Sequence, residues 1–167
     1  MLEKFRETSF GVQMILQSCS LVPLNMVQGK LTELLPFMTR LNSSELSSST
    51  QVKLNYLFLF RKVLTAKDES AVEAEQKQAN LEQFLPQILH TLDSSSSQLS
   101  DADSQRKVIV ECLLLINELR LMYPTMLSNS YTKTVLRIST KLKSHKKRVV
   151  RTVARTTIND WSLTATN

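Results

Sequence analysis

The amino-acid sequence predicts an all-α protein. It has only 2 Gly and 4 Pro in 167 residues, so few positions suit the tight turns of hairpins. Leu, Lys, Gln, Glu and Ser dominate, and the Val, Ile and Tyr alternation that marks β-strands is rare. The hydrophobic share of 42% is typical of a globular protein, and the length is that of one domain with a sizeable core.

Helices are predicted wherever apolar residues recur every three or four positions. The first such segment carries Phe10, Met14 and Ile15 on one face and is stopped by Pro23. Leu54 to Phe60 and Val108 to Leu119 are apolar nearly all round, which favours burial on more than one side. The Ser-rich stretch 94–104 is expected to be an exposed connector. The expected helices span residues 5–22, 27–41, 51–64, 72–92, 103–122, 130–142 and 147–161.

The chain contains an internal repeat. Leu31-x-x-Leu34-Leu35-Pro36 recurs fifty residues later as Leu81-x-x-Phe84-Leu85-Pro86, each followed by a Ser-rich turn. Leu142 then takes the place of Leu41 and Leu92, although this third copy lacks the Leu-Pro pair. Repeats of this period are typical of stacked helix pairs, in which each pair buries its apolar face against its neighbour.

The last helix resembles the second helix of a HEAT repeat. Its Val150-Arg151-x-x-Ala154 follows a short polar turn, as in that family. The resemblance implies a HEAT-repeat superhelix, or α-solenoid, of about three helix pairs with an additional unpaired helix at the N-terminus. An unpaired first helix is expected of a fragment from a longer solenoid, with residues 1–167 forming one C-terminal domain.

Two structural roles are expected near this helix. Val150, Ala154 and Trp161 share one helical face and are expected to close the core of the array. In many HEAT arrays the Arg that corresponds to Arg151 pairs with an Asp in the turn of the preceding repeat. The resemblance therefore implies a structural ladder between Asp93 and Arg151.

Positive charge is concentrated at the C-terminal end. Residues 130–167 contain nine Lys and Arg against Asp160 alone, a net of +8, which leaves −2 for the remainder of a chain whose net charge is +6. Such a one-ended field favours docking to an acidic protein surface or to nucleic acid, and composition does not choose between them. A solvated face that binds nothing is the third reading. The candidate contact residues are Lys146, Lys147, Arg148, Arg155, Arg120, Tyr123 and Tyr131, with Tyr56 and Arg61 as further anchors if exposed.

Catalytic chemistry has little support in the sequence. His90 and His145 have no Asp or Cys at a recognisable motif spacing, and a glycine-rich phosphate loop is absent. Cys19 and Cys112 lack the close partners of a metal site and fit buried free thiols of a reducing compartment. We expect a non-enzymatic protein without cofactor or metal, soluble in the cytoplasm or nucleus, since neither a signal peptide nor an apolar run of membrane-spanning length is present.

The last seventeen residues of the array carry a narrower resemblance. Lys146-Lys147-Arg148-Val149-Val150-Arg151-x-x-Ala154 with Trp161 is similar to the C-terminus of the HEAT-repeat scaffold of the cytosolic iron–sulfur assembly targeting complex, the family named for methyl-methanesulfonate sensitivity. The chain departs from it at three places: His145 replaces an acidic residue, Ile158 replaces a second Arg, and fewer apolar residues follow the Trp.

This narrower resemblance implies an adaptor that delivers iron–sulfur clusters to client apoproteins, including DNA replication and repair enzymes. Its C-terminal repeats would dock a small DUF59-type assembly factor and a WD40 propeller subunit. The alternative is a HEAT-type interaction module of another scaffold, whose basic end binds acidic proteins or nucleic acid.

Overall fold

The computed structural model describes residues 9–23, 26, 50–64, 71–97 and 103–164. All regular secondary structure in these ranges is α-helical, which confirms the predicted all-α class. The helices are α1 (Ser9–Leu21), α2 (Thr50–Leu64), α3 (Ala71–Ser97), α4 (Asp103–Met122), α5 (Pro124–Leu142) and α6 (Arg148–Thr164). The predicted helix 27–41, with the first copy of the repeat, lies outside the described residues.

The chain divides into two compact units, Met1–Leu85 and Pro86–Asn167. The division falls within α3. In the first unit, α1 packs against α2. Helix α1 ends at Leu21, one residue before the predicted end at 22. The Lys62 ammonium of α2 donates a hydrogen bond to the Val22 carbonyl. This bond ties the end of α1 to α2. A carbonyl at the end of a helix receives no hydrogen bond from the helix itself, so it is available to an outside donor.

Aromatic side chains form much of the first unit's core. Tyr56 and Phe60 pack edge to face with ring centroids 4.8 Å apart, and Phe60 meets Phe84 in the same manner at 4.4 Å. Burial raises the pKa of the Tyr56 hydroxyl well above its usual range. Tyr56 is 5% exposed, so the condition under which it was expected to be a surface anchor is not met, and its ring contributes to the core.

In the second unit, α4 packs against both α5 and α6, and α5 packs against α6. Apolar side chains on several faces of α4 are buried, as its sequence predicts, including Val108, Ile109, Leu113, Leu115 and Ile116. Cys112 is also fully buried and is a free thiol, whereas Cys19 in the first unit is only half-buried. The burial predicted for both cysteines is therefore correct for one of them.

The structure moves two predicted boundaries by five or six residues, the end of α3 and the start of α5. Helix α3 continues to Ser97, although residues from 94 onward were expected in a connector. The hydroxyl groups of Ser94 and Ser96 donate to the carbonyls of Thr91 and Asp93, three residues earlier, so these serines satisfy their polar groups inside the helix. Gln105 of α4 then donates to the Ser95 carbonyl at 2.8 Å, which ties α4 to this last turn.

Helix α5 begins at Pro124, six residues before the predicted start at 130. Only Tyr123, with φ −131° and ψ 59°, separates it from α4. Proline at the first helical position has its φ already set and gives up only an N–H that the helix does not use. Pro124 is thus a start signal for α5.

Candidate functional site

The basic end predicted from the sequence forms a short loop at the start of α6. We define the basic loop as residues 143–148, which join α5 to α6 and include four of the chain's 21 Lys and Arg. The side chains of Lys143, Lys146 and Arg148 are exposed, and that of Lys147 is half-buried. The loop therefore presents a cluster of cations to solvent.

Backbone hydrogen bonds fold the first half of this loop back onto α5. The amides of Lys143 and His145 donate to the carbonyls of Ser139 and Leu142, each at 3.0 Å. The Lys147 amide then donates to Nδ1 of His145 at 3.1 Å, so the imidazole satisfies a donor that would otherwise face solvent just before α6. His145 thus has a structural role in the loop, with Nδ1 as the acceptor.

Arg151 closes the second half of the loop from within α6. Its Nη1 donates to the carbonyl oxygens of His145 at 2.8 Å and Lys146 at 2.6 Å. A guanidinium is a rigid fork of donors, so one side chain fixes two consecutive carbonyls of the loop. The cationic side chains around them are therefore carried by a backbone that is held at several points.

The ladder between Asp93 and Arg151 stays a prediction, because the ion pairs described for Asp93 are made with residues of α5. The carboxylate of Asp93 instead pairs with Arg137 Nη2 at 3.0 Å and with Lys141 Nζ at 3.5 Å, both from α5. Arg137 and Lys141 stand one helical turn apart and so present their charges on the same face. Both side chains pair with Asp93, while Arg151 donates to the loop carbonyls of His145 and Lys146.

Replacing Arg151 with Met should loosen the basic loop and leave α6 in place. Two charge-assisted bonds to backbone are lost, which we expect to cost about 1–2 kcal/mol locally, because Val150 and Ala154 still anchor the helix. Amide hydrogen exchange at residues 144–147 should accelerate by about tenfold. Arg155→Met, an exposed position on the same helix, is the matched control and should leave these amides unchanged. Equal exchange in both variants would show that Arg151 does not hold the loop.

The start of α6 adds to the positive potential of the loop. No acidic residue lies in the first turn of this helix, and the aligned peptide dipoles place about half a positive charge at its N-terminus. Arg155, exposed and seven positions after Arg148, continues the cationic surface along the same helical face. Cations at this end oppose the helix dipole, so a bound anionic group would stabilise the arrangement.

Behind the loop, α6 is anchored in the core. The three predicted closing residues, Val150, Ala154 and Trp161, are each 0% exposed. Trp161 Nε1 donates to Oδ1 of Asn117 at 3.1 Å, and the Asn117 amide nitrogen donates to Oγ1 of Thr157 at 2.9 Å. Asn117 therefore joins two successive turns of α6 to α4, which makes it the residue of this region that sequence reasoning missed.

The remaining candidate contact residues lie on other segments of the chain than the basic loop. Arg120, Tyr123 and Tyr131 are all half-buried, and Nε of Arg120 is shielded from solvent. Arg61 in α2 is half-buried as well. The basic loop and Arg155 are thus the candidate site, and these four residues remain predictions.

A second polar feature lies where α3 faces α5. A groove of about 340 Å³ is lined by residues of both helices, with Asp93 and Arg137 at its edge. The guanidinium of Arg137, with a smaller effect from Lys141, holds the pKa of the Asp93 carboxyl below its usual value. The ion pairs therefore persist at neutral pH.

The Asp93 ion pairs should contribute to stability above the carboxyl's ordinary pKa and lose that contribution as the pH falls. The sign follows from the lowered pKa of Asp93 in the folded protein, because protonation is then harder in the folded than in the unfolded state. All three side chains are at least one third exposed, so the effect should not exceed about 1 kcal/mol. Thermal melts of wild type and Asp93→Asn should differ at neutral pH, and the difference should shrink as the pH falls below the ordinary Asp pKa of 3.8. A constant difference would contradict this assignment.

The part of the chain that the structure describes contains no group of three or more His, Cys, Asp or Glu side chains placed to hold a metal ion. None of the helices in that part is both long and apolar enough to cross a membrane. His90 is exposed on α3, and burial raises the pKa of the Cys19 thiol against a smaller opposing effect of Lys62.

Comparison of the chain with protein-family models, with curated proteins and with solved structures found no match.

Proposed function

We propose that this chain is a non-enzymatic scaffold module that docks partner proteins through its basic loop. The observation that carries the proposal is the loop itself: exposed cations stand on a backbone that Arg151 and His145 hold in place. A preorganised surface loses less conformational entropy on binding than a flexible tail with the same charges. Complementary charge also accelerates encounter with an acidic partner.

The partner class follows from the sequence resemblance. We propose that α3 with α4 and α5 with α6 are helix pairs of a HEAT-type superhelix, and that the module belongs to the cytosolic iron–sulfur assembly targeting complex. In this proposal it docks the small DUF59-type assembly factor and the WD40 propeller subunit in the cytoplasm and nucleus. Its role is to bring client apoproteins, including DNA replication and repair enzymes, close to the factors that insert clusters.

Co-purification tests the partner class. The full chain, tagged and expressed together with the DUF59-type factor and the WD40 subunit, should retain at least one of them through size-exclusion chromatography. Arg155→Gln and Lys146→Gln provide variants that weaken the cationic surface without adding bulk. Failure of the wild-type chain to retain either protein would reject the assignment to this complex.

The concentration of charge also supports a second candidate function. A net of +8 within residues 130–167 would attract phosphates of nucleic acid as well as carboxylates of a protein. In this alternative the chain is a HEAT-type module of another scaffold. A gel-shift series with duplex DNA against salt concentration separates the two, because phosphate contacts give a steep loss of affinity with added salt. No binding at the lowest salt would remove nucleic acid as the ligand.

A further inference from the structure

The groove between α3 and α5 differs in chemistry from the basic loop. Its apolar lining comes from Pro86 and Leu89 of α3 and Ile138 of α5. Leu89 and Ile138 are 5% and 1% exposed, so they form a floor that belongs to the core, whereas Pro86 is exposed. None of the residues that line the groove belongs to the basic loop. The groove is therefore a separate feature with its own ligand chemistry.

The size of the groove suits a side chain of a peptide. At about 340 Å³ it lies near the lower end of the roughly 300–1,000 Å³ that ligand pockets occupy. Two residues of α5, the half-buried Tyr131 and Thr134, form one wall of the groove. Thr134 lies one turn before Ile138 and Tyr131 about two turns before it. An aliphatic or aromatic side chain of a ligand that rests between the α3 and α5 sides of the groove would remove apolar surface of both the ligand and the groove from water.

The charge at the groove's edge selects an acidic ligand. Asp93 faces two cations, Arg137 and Lys141, whose side chains are 52% and 54% exposed. Arg137 donates to Asp93 through Nη2, so the other N–H groups of its guanidinium can donate to a second carboxylate. Lys133 extends the cationic row one turn back along α5. The single negative charge of Asp93 does not neutralise the positive charges of this row, so a net positive charge remains.

We propose that this groove binds an acidic peptide segment of a partner protein. An apolar side chain of the peptide rests on Leu89 and Ile138, and a neighbouring Asp or Glu of the peptide pairs with Arg137 and Lys141 beside Asp93. A peptide fits better than nucleic acid, because the groove has an apolar floor that a peptide side chain can cover and a phosphate backbone cannot. The proposal does not depend on the function of the basic loop.

Fluorescence anisotropy with defined peptides tests this groove. The probe is a labelled ten-residue peptide of alternating Glu and Leu, compared with a Gln and Leu peptide and a Glu and Ser peptide. The intact chain should bind the first at least about tenfold more tightly than either of the others, because only the first supplies both carboxylates and apolar side chains. Equal affinity for all three, or no saturable binding of the first, would overturn the proposal.

Variants locate the binding within the groove. Thr134→Trp should fill the groove, and Arg137→Gln with Lys141→Gln should remove its cations; each should weaken the Glu and Leu peptide by about tenfold. Lys107→Gln is the control, because this exposed residue lies on α4, outside the groove and its cationic row, and it should change affinity by less than about twofold. Far-UV circular dichroism verifies that each variant is folded. Unchanged affinity in the first two variants, or tighter binding of a single-stranded DNA probe, would overturn the proposal.

Discussion

Replacing Trp161 with Ala should destabilise the second unit more than any other single substitution on α6. The side chain is fully buried, and removing a buried Trp costs about 3–5 kcal/mol through lost burial and an unfilled cavity. The substitution also deprives Oδ1 of Asn117 of its donor. Urea unfolding followed by far-UV circular dichroism should show the midpoint shifted to lower denaturant with a similar slope.

Two further variants separate packing from the hydrogen bond. Trp161→Phe keeps most of the buried ring but loses the N–H, and it should cost about 1–2 kcal/mol. Leu163→Ala, at a position 69% exposed two residues later, should remain within about 0.5 kcal/mol of wild type. Because Trp161 is the only tryptophan, its fluorescence reports the same transition in the wild-type chain. A loss below about 1 kcal/mol for Trp161→Ala would show that α6 does not depend on this core.

Reversing the charge of Lys146, Lys147 and Arg148 to Glu should slow partner association by about 10- to 100-fold at low salt. The three substitutions remove the cations that steer an acidic surface toward the loop and replace them with repulsive charges. Acidic residues near a helix N-terminus are favourable, so the change should not unfold α6. Surface plasmon resonance with the immobilised DUF59-type factor provides the association rate.

A matched single substitution controls for total charge. Lys107→Glu, at an exposed position on α4, makes the same charge change as Lys146→Glu but lies outside the basic loop. The loop variant should reduce the rate more, and the difference should shrink as salt screens the charges over about 10 Å at 0.1 M. An association rate that the triple reversal leaves unchanged at low salt would remove the loop from the interface.

The helices were predictable where burial determines them. The bounds of α4 match the prediction, and α2 begins one residue earlier than expected, because both segments carry apolar residues on most faces. The misplaced ends of α3 and α5 depend on local chemistry. Serine hydroxyls bonded to their own helix extend α3, and Pro124 starts α5, so neither end follows from hydrophobic periodicity.

The candidate site was predictable in composition but not in geometry. The cluster at Lys146, Lys147 and Arg148 is visible in the sequence, and so is the spacing that buries Val150 and Trp161. Long-range polar partners are different, because a guanidinium pairs with whichever acceptor the packing places within reach. The bonds of Arg151 to the loop carbonyls, for example, do not follow from its place in the sequence.

Asn117 shows the same limit inside the core. An amide among the leucines of α4 could in principle face solvent or satisfy its polar atoms in the interior. Only the packing of α6 against α4 reveals that it serves both Thr157 and Trp161. A polar residue within an otherwise apolar helical segment is the signal by which it could have been found.

Hydrogen exchange of the chain with and without the DUF59-type factor tests the docking proposal most directly. Amides of residues 144–151 should exchange more slowly in the complex, because the partner covers the basic loop and the first turn of α6. Amides in the middle of α4 should remain unchanged, since that helix is already buried. A complex that forms fully without any added protection at residues 144–151 would contradict the proposal that the basic loop is the docking surface.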